Sequence, residues 1–308
     1  MEDRQKTLNP ATPLLCRPAV RLQSLIGLSN PQRFCKLEMP GWVGVYTGWL
    51  RRVNRRNPPA PQHGCYNVCR FMNKAAFYDL DGTLLSCNLV TMHAYYARND
   101  RSMLKSVYQF TKVLLSVPLL FGLDLYSRSL FNVFSFRAYR GMHRDRLIGL
   151  ADDLFEVTLK PSIFPRATAL IETTHDLGYR NILVTGTLDF QIRPIALHFG
   201  FDEVICNRLE FKNHVATGRV LPPLLAENEK ARSIRGYAVQ EGIDLAQSCA
   251  FSDSSADVPM LSSVGHHVAT NPTRRLRRIA LGRRWPILEL REASTKLPPF
   301  LMTAAKAL

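Results

Sequence analysis

The sequence predicts the α/β class, a three-layer core around a parallel sheet with a small α-helical domain inserted into it, on three observations. Short, largely apolar runs recur at 75–78, 181–184, 203–206 and 249–252, bounded by polar residues or glycine, and runs of this kind suit strands buried on both faces. Helical patterns separate the later runs, and strands alternating with helices imply right-handed crossovers and one Rossmann-like parallel sheet. Between the first and second runs, 87–160 reads as helical, which marks it as an insertion in the core.

Residues 1–71 stand apart from this pattern. They hold 8 of the 19 prolines and 11 Lys/Arg against 3 Asp/Glu, so more than half of the net charge of +15 sits in under a quarter of the 308 residues. No period of 3.6 or 2 is sustained there, and a basic extension without a packed core is expected. Arg-rich, acid-poor composition also suits a transit segment, but Glu2 and Asp3 weigh against one and a start at Met72 would leave the first strand intact. The stretch 41–46 followed by Arg51 and Arg52 suits peripheral contact with a membrane and is too short to span it.

The first strand, 75–78, ends in Asp79-Leu80-Asp81-Gly82-Thr83. Residues two apart on a strand point the same way, so Asp79 and Asp81 share a side if the extended geometry persists. Carboxylates that close raise each other's pKa unless a divalent cation favours both ionised, or one stays protonated as an acid. A solvated Asp-Leu-Asp-Gly turn is the plainer alternative at this point.

Within the insertion, helices are expected over 103–120, 127–139 and 145–159, from apolar residues at helical spacing. The apolar run 113–123 lies between Lys112 and Asp124 and falls short of the ~18 residues of a spanning helix. Arg137 and Arg140 are placed to grip an anionic substrate if this segment covers a phosphate site.

From Pro161 the pattern alternates. A helix over 165–177 stops at Gly178, the strand 181–184 leads into Thr185-Gly186-Thr187, and a helix capped by Asp189 and distorted by Pro194 runs to Gly200. A short strand at 203–206, a hairpin over 209–220, a helix over 229–241 and the strand 249–252 follow, the last entering Asp253. The seven cysteines form no paired CxxC clusters, which suits reduced thiols in a cytoplasmic protein.

Asp79, Asp81, Thr185, Asp253 and Asp257 thus follow apolar strands, and Lys230 opens a helix feeding the last of them. Ligand sites of parallel sheets lie beyond the carboxyl ends of the strands. Carboxylates gathered there with few cations call for a hard divalent ion, and Mg2+ takes oxygen ligands of this kind. A hydroxyl and an ammonium suit phosphoryl oxygens.

Asp79-Leu80-Asp81-Gly82-Thr83, Leu183-Val184-Thr185, Lys230 and Ser252-Asp253-Ser254-Ser255-Ala256-Asp257 resemble, in order, the four motifs of the haloacid dehalogenase (HAD) superfamily phosphatases. The helical insert after the first motif, and the tail 268–278 running on to Trp285-Pro286, resemble the phosphoserine-phosphatase-like branch, subfamily IB. The resemblance implies a HAD-like core of 72–86 and 161–291, a cap at 87–160 that closes over the site, and a C-terminal tail at 292–308. It implies a Mg2+-dependent phosphomonoester hydrolase working through an aspartyl-phosphate. Asp79 would be the nucleophile and Asp81 the acid and then the base. Asp79, the carbonyl of Asp81 and Asp253 would hold Mg2+, supported by Asp257, while Thr185, Gly186 and Lys230 would hold the phosphoryl group.

The chain departs from the branch at its substrate end. Phosphoserine phosphatases of this branch carry a glutamate shortly after the first motif, whereas Cys87-Asn88-Leu89-Val90 has no acid. Asn88, Arg137 and Arg140 are then the candidates for substrate selection, with a small phosphorylated metabolite or a lipid head-group precursor as substrate. The second motif reads Thr-Gly-Thr in place of Ser-Gly-Gly. Transfer of the phosphoryl group to an alcohol would use the same residues. A nucleic-acid partner is not expected, because Arg274, Arg275, Arg277 and Arg278 lack interleaved aromatics, and a retired HAD scaffold is disfavoured by the intact aspartates and Lys230.

Overall fold

The computed structural model describes residues 73–99, 127–292 and 297–306, with positions 111, 115 and 122 between them. The expected basic extension and nearly all of the expected helix 103–120 lie outside the described residues.

A seven-stranded sheet runs in the order β4-β3-β2-β1-β5-β6-β7, built from β1 (Ala75–Tyr78), β2 (Arg180–Leu188), β3 (Glu203–Lys212), β4 (Val215–Leu221), β5 (Cys249–Ser252), β6 (His266–Thr270) and β7 (Ile287–Leu288). Every neighbouring pair is parallel except the antiparallel β3–β4 hairpin. All four residues of the central β1 are inaccessible to solvent, as expected of a strand covered on both faces. Its alternation divides the core: Ala75 and Phe77 join one hydrophobic cluster, Ala76 and Tyr78 the other. On the first face lie α6 (Asn228–Glu241), α7 (Val258–Leu261) and α8 (Arg274–Arg283); on the second lie α4 (Ala167–Asp176) and α5 (Asp189–Phe199). These are the three layers. Tyr78 stacks on Phe251 at 4.7 Å and shares a 2.6 Å hydrogen bond with Thr174, so this buried ring finds a partner for its hydroxyl.

The inserted residues form α1 (Leu89–Arg98), α2 (Arg128–Phe136) and α3 (Arg144–Leu154). The first two are capped by the side chains of Asn88 and Ser127. The helix expected over 145–159 reaches its end, but α3 widens after Leu154 into a π turn over Phe155–Leu159, and Pro161, lacking an N–H, sits in the 3-10 turn that follows. The hairpin ties the insertion to the sheet, with Ala216 and Met142 and then Gly141 and Ala216 bonded through their backbones at 2.9 Å.

Three expectations are corrected in detail. The short strand at 203–206 and the hairpin's first arm are one continuous β3, and Asn213 and His214, both at positive φ, make its two-residue turn. The strand expected over 181–184 continues to Leu188, with a register shift between Thr185 and Leu188. Pro194 sits inside α5 without ending it, and Asp189 is the first residue of that helix, with Leu188 at the cap position. The C-terminal tail also carries a helix, α9 (Pro299–Lys306), whose Leu301 is fully buried and whose Phe300 stacks on His266 at 4.4 Å.

Candidate active site

The strand β1 delivers Asp79 to the carboxyl edge of the sheet, where its N–H donates to the Phe251 carbonyl of β5 at 3.0 Å. The chain then turns through Gly82, at φ +81°. A Cβ on Gly82 would stand 2.4 Å from Oδ2 of Asp253, so both the backbone and the approach of that carboxylate require glycine. Thr83 locks the two loops together: its hydroxyl accepts from the Asp253 N–H at 2.9 Å and donates to Asp253 Oδ1 at 3.3 Å. From the loop after β6, Asn271 donates to the Thr83 carbonyl at 3.0 Å.

Lys230, in the first turn of α6, reaches into this edge. Its Nζ donates to Asp79 Oδ1 at 2.7 Å and to Asp257 Oδ2 at 2.8 Å, all three side chains being buried. Ser252 donates to the same Asp257 oxygen at 2.8 Å. Burial works against the ammonium, but the charges of Asp257 and Asp79 and their hydrogen bonds outweigh it and hold the lysine pKa above its ordinary value. Lys230 therefore stays charged, and it fixes one oxygen of Asp79.

At the end of β2 the hydroxyl of Thr187 donates to Asp81 Oδ2 at 3.3 Å, and Thr185 donates to Thr187 at 3.1 Å. Gly186 between them is pinned from β3 by Asn207, whose Nδ2 donates to the Gly186 carbonyl at 2.6 Å and whose Oδ1 accepts from the Leu225 N–H at 2.7 Å.

Asp79, Asp81, Thr185, Gly186, Lys230, Asp253 and Asp257 thus gather at the edge where the sequence places them. Asn88, Arg137 and Arg140 do not join the network. Asn88 Oδ1 accepts from the Thr91 N–H at 3.1 Å in capping α1. Arg137 is exposed and lies over the Phe134 ring at 4.9 Å, and Arg140 is exposed and packs its stem beside Gly218 of the hairpin. Sequence reasoning missed Thr187, Asn207 and the bonding roles of Thr83 and Ser252. Thr187 carried a signal, since it stands two residues after Thr185 and so shares its face on a strand. Asn207 carried none, because its role depends on the pairing of β3 with β2.

The donor set is all oxygen. Among the described residues no three His, Cys, Asp or Glu side chains form a ready metal cage, but Mg2+ needs only one or two carboxylates with a carbonyl and waters. Two buried carboxylates, Asp79 and Asp253, on neighbouring loops that Thr83 ties together, fit that ion.

The family model described as haloacid dehalogenase-like hydrolase matches residues 76–262. A Streptomyces azureus protein named for inhibition of morphological differentiation is 33% identical over 222 residues, 70% of this chain and 78% of that one. A Mycobacterium tuberculosis protein named "Probable phosphatase" is 32% identical over 243 residues, 77% of this chain and 81% of that one. Among solved structures, a substrate-bound phosphoserine phosphatase superposes with a TM-score of 0.55 at 18% identity, over 77% of this chain and 98% of that one, a likeness of fold. The match of the family model over β1 to β5 and all four motif loops places the chain in the haloacid dehalogenase-like hydrolase family, with the fold of the phosphoserine phosphatases.

Proposed function

We propose that the protein is a Mg2+-dependent phosphatase that hydrolyses a small phosphorylated metabolite through an aspartyl-phosphate. The observation that carries this reading is Asp79, buried at a strand terminus with one oxygen held by Lys230 at 2.7 Å. In the first step a carboxylate oxygen of Asp79 bonds to phosphorus as the ester P–O bond breaks, and Asp81 gives its proton to the departing alcohol oxygen. In the second, Asp81 takes a proton from water, whose oxygen bonds to phosphorus and frees phosphate and Asp79. Lys230 and the Thr185–Gly186 turn counter the charge on the phosphoryl oxygens. Asp79, the Asp81 carbonyl and Asp253 would hold Mg2+, which when bound neutralises further phosphoryl charge.

Phosphate release from an aryl phosphate, with Mg2+ and with chelator, tests this. Turnover is expected with Mg2+, falling at least about 10³-fold in Asp79→Asn. Turnover unaffected by the chelator or by the substitution would contradict the reading.

A further inference from the structure

The insertion lays a polar side chain over the turn that follows Thr185. On α2 the residues Leu130, Val133 and Phe134 face outward, whereas Phe131, Asn132, Ser135 and Phe136 face inward and are buried. Asn132 is only 4% exposed, and among the described residues no hydrogen bond to its amide is present. Buried amides are almost always bonded; neither polar atom of this one is sealed from solvent, so the amide borders open space at the edge of the buried face. An apolar residue would pack this inward face better, so the amide is there for something it meets later.

Its direction says what. A Cβ placed on Gly186 would lie 3.2 Å from Asn132 Nδ2, 3.3 Å from the Leu225 carbonyl and 4.0 Å from Asn207 Nδ2. The amide therefore reaches the residue next to Thr185, with Asn207 and the Leu225 loop as the other neighbours. A phosphoryl group held at Thr185 and Gly186 carries its alcohol outward from the sheet edge, and among the described residues Asn132 is a polar group of the insertion beside that turn. Being neutral, it both donates and accepts, and it suits a hydroxyl, amide or amine.

We propose that Asn132 is a specificity-determining residue whose amide hydrogen-bonds the polar part of the alcohol that carries the phosphate, selecting phosphomonoesters of small hydroxyl- or amino-bearing alcohols. This rests on the phosphatase reading. A site built to bond a polar group rejects analogues lacking it, because its own buried group is then left unpaired.

The test compares kcat/KM for 4-nitrophenyl phosphate, whose leaving group has no hydrogen-bond donor, with phosphoserine, glycerol 3-phosphate and glucose 6-phosphate. It is run on the wild type, Asn132→Ala and the volume-conserving Asn132→Leu, alongside thermal unfolding. Both variants are expected to lose at least about tenfold on the best polar ester, and under about threefold on 4-nitrophenyl phosphate. Tm should not fall, which separates substrate contact from a structural role. Equal losses on all substrates, no loss on any, or a wild type that prefers 4-nitrophenyl phosphate would overturn the inference alone. A wild type inactive on every ester would overturn the phosphatase reading and this inference with it.

Discussion

Lys230 is the residue on which the electrostatics of the site turn. Its ammonium answers Asp79 and Asp257 together, so Lys230→Met leaves two buried carboxylates facing each other without it. A destabilisation of about 3–5 kcal/mol is expected in urea unfolding, together with loss of turnover; unchanged stability would mean that the pair is held by other charges. Gly82 makes a narrower prediction. Gly82→Ala sets a Cβ within 2.4 Å of Asp253 at φ +81°, and it should cost about 1–3 kcal/mol of stability while displacing Asp253. A variant with wild-type melting and activity would contradict the close approach. The residues themselves are legible: Asp79, Gly82, Lys230 and Asp253 stand at strand and helix ends that apolar runs and glycine stops mark plainly. Their pairing was less so. That Lys230 bridges Asp79 and Asp257, rather than facing a ligand alone, follows from the depth of α6 against the sheet.

Among the elements, the end of β2 shows where a sequence stops speaking. Residues 181–184 read as a strand from composition alone, but its extension to Leu188 with a shifted register depends on β3, whose Asn207 pairs with Leu188. Irregularities of this kind re-aim side chains next to active sites, and here the Thr185 and Thr187 hydroxyls are linked in a chain to Asp81. Asn207 secures the turn with bonds to Gly186 and Leu225. Asn207→Ala leaves both backbone groups without it, and a loss of about 2–4 kcal/mol is expected in chemical unfolding, with KM for a phosphoester rising more than kcat falls. A small stability change with unaltered KM would show that the turn holds itself. The substrate-facing side is the least legible, because Asn88 rests on its place shortly after the first motif and Arg137 and Arg140 on their charge, whereas Asn132 is singled out only by burial and by its approach to Gly186.

Across the whole molecule, stability carries a mark of how the site is packed. Asp189 opens α5 directly after the Thr185 turn, its Oδ1 is sealed from solvent without a hydrogen bond, and burial pushes its carboxyl pKa up from 3.8 to about 6 against the pull of Arg208 and Arg144. A raised acid pKa means that the folded state holds the proton where the unfolded chain has released it. Stability should fall as pH rises from about 4 through 6, then level, by up to about 3 kcal/mol. Asp189→Asn should flatten that slope in urea titrations; an identical slope would assign it to other groups. The overall architecture was legible because buried parallel strands and their helices obey strong patterns, and the order of the motifs fixed the insertion. No helix among the described residues is long and apolar enough to cross a membrane; the run 113–123 lies almost wholly outside them.

The proposed mechanism turns on phosphorylation of Asp79. The direct measurement is rapid acid quench of the protein turning over a phosphomonoester with Mg2+, followed by mass spectrometry of the peptide containing residues 75–83. A transient phosphoryl group is expected on Asp79, absent in Asp79→Asn and accumulating in Asp81→Asn supplied with 4-nitrophenyl phosphate, whose leaving group departs without a proton from Asp81, so that only hydrolysis of the intermediate is lost. Turnover with no phosphorylated Asp79 at any time, or with the phosphoryl group on another residue, would contradict it.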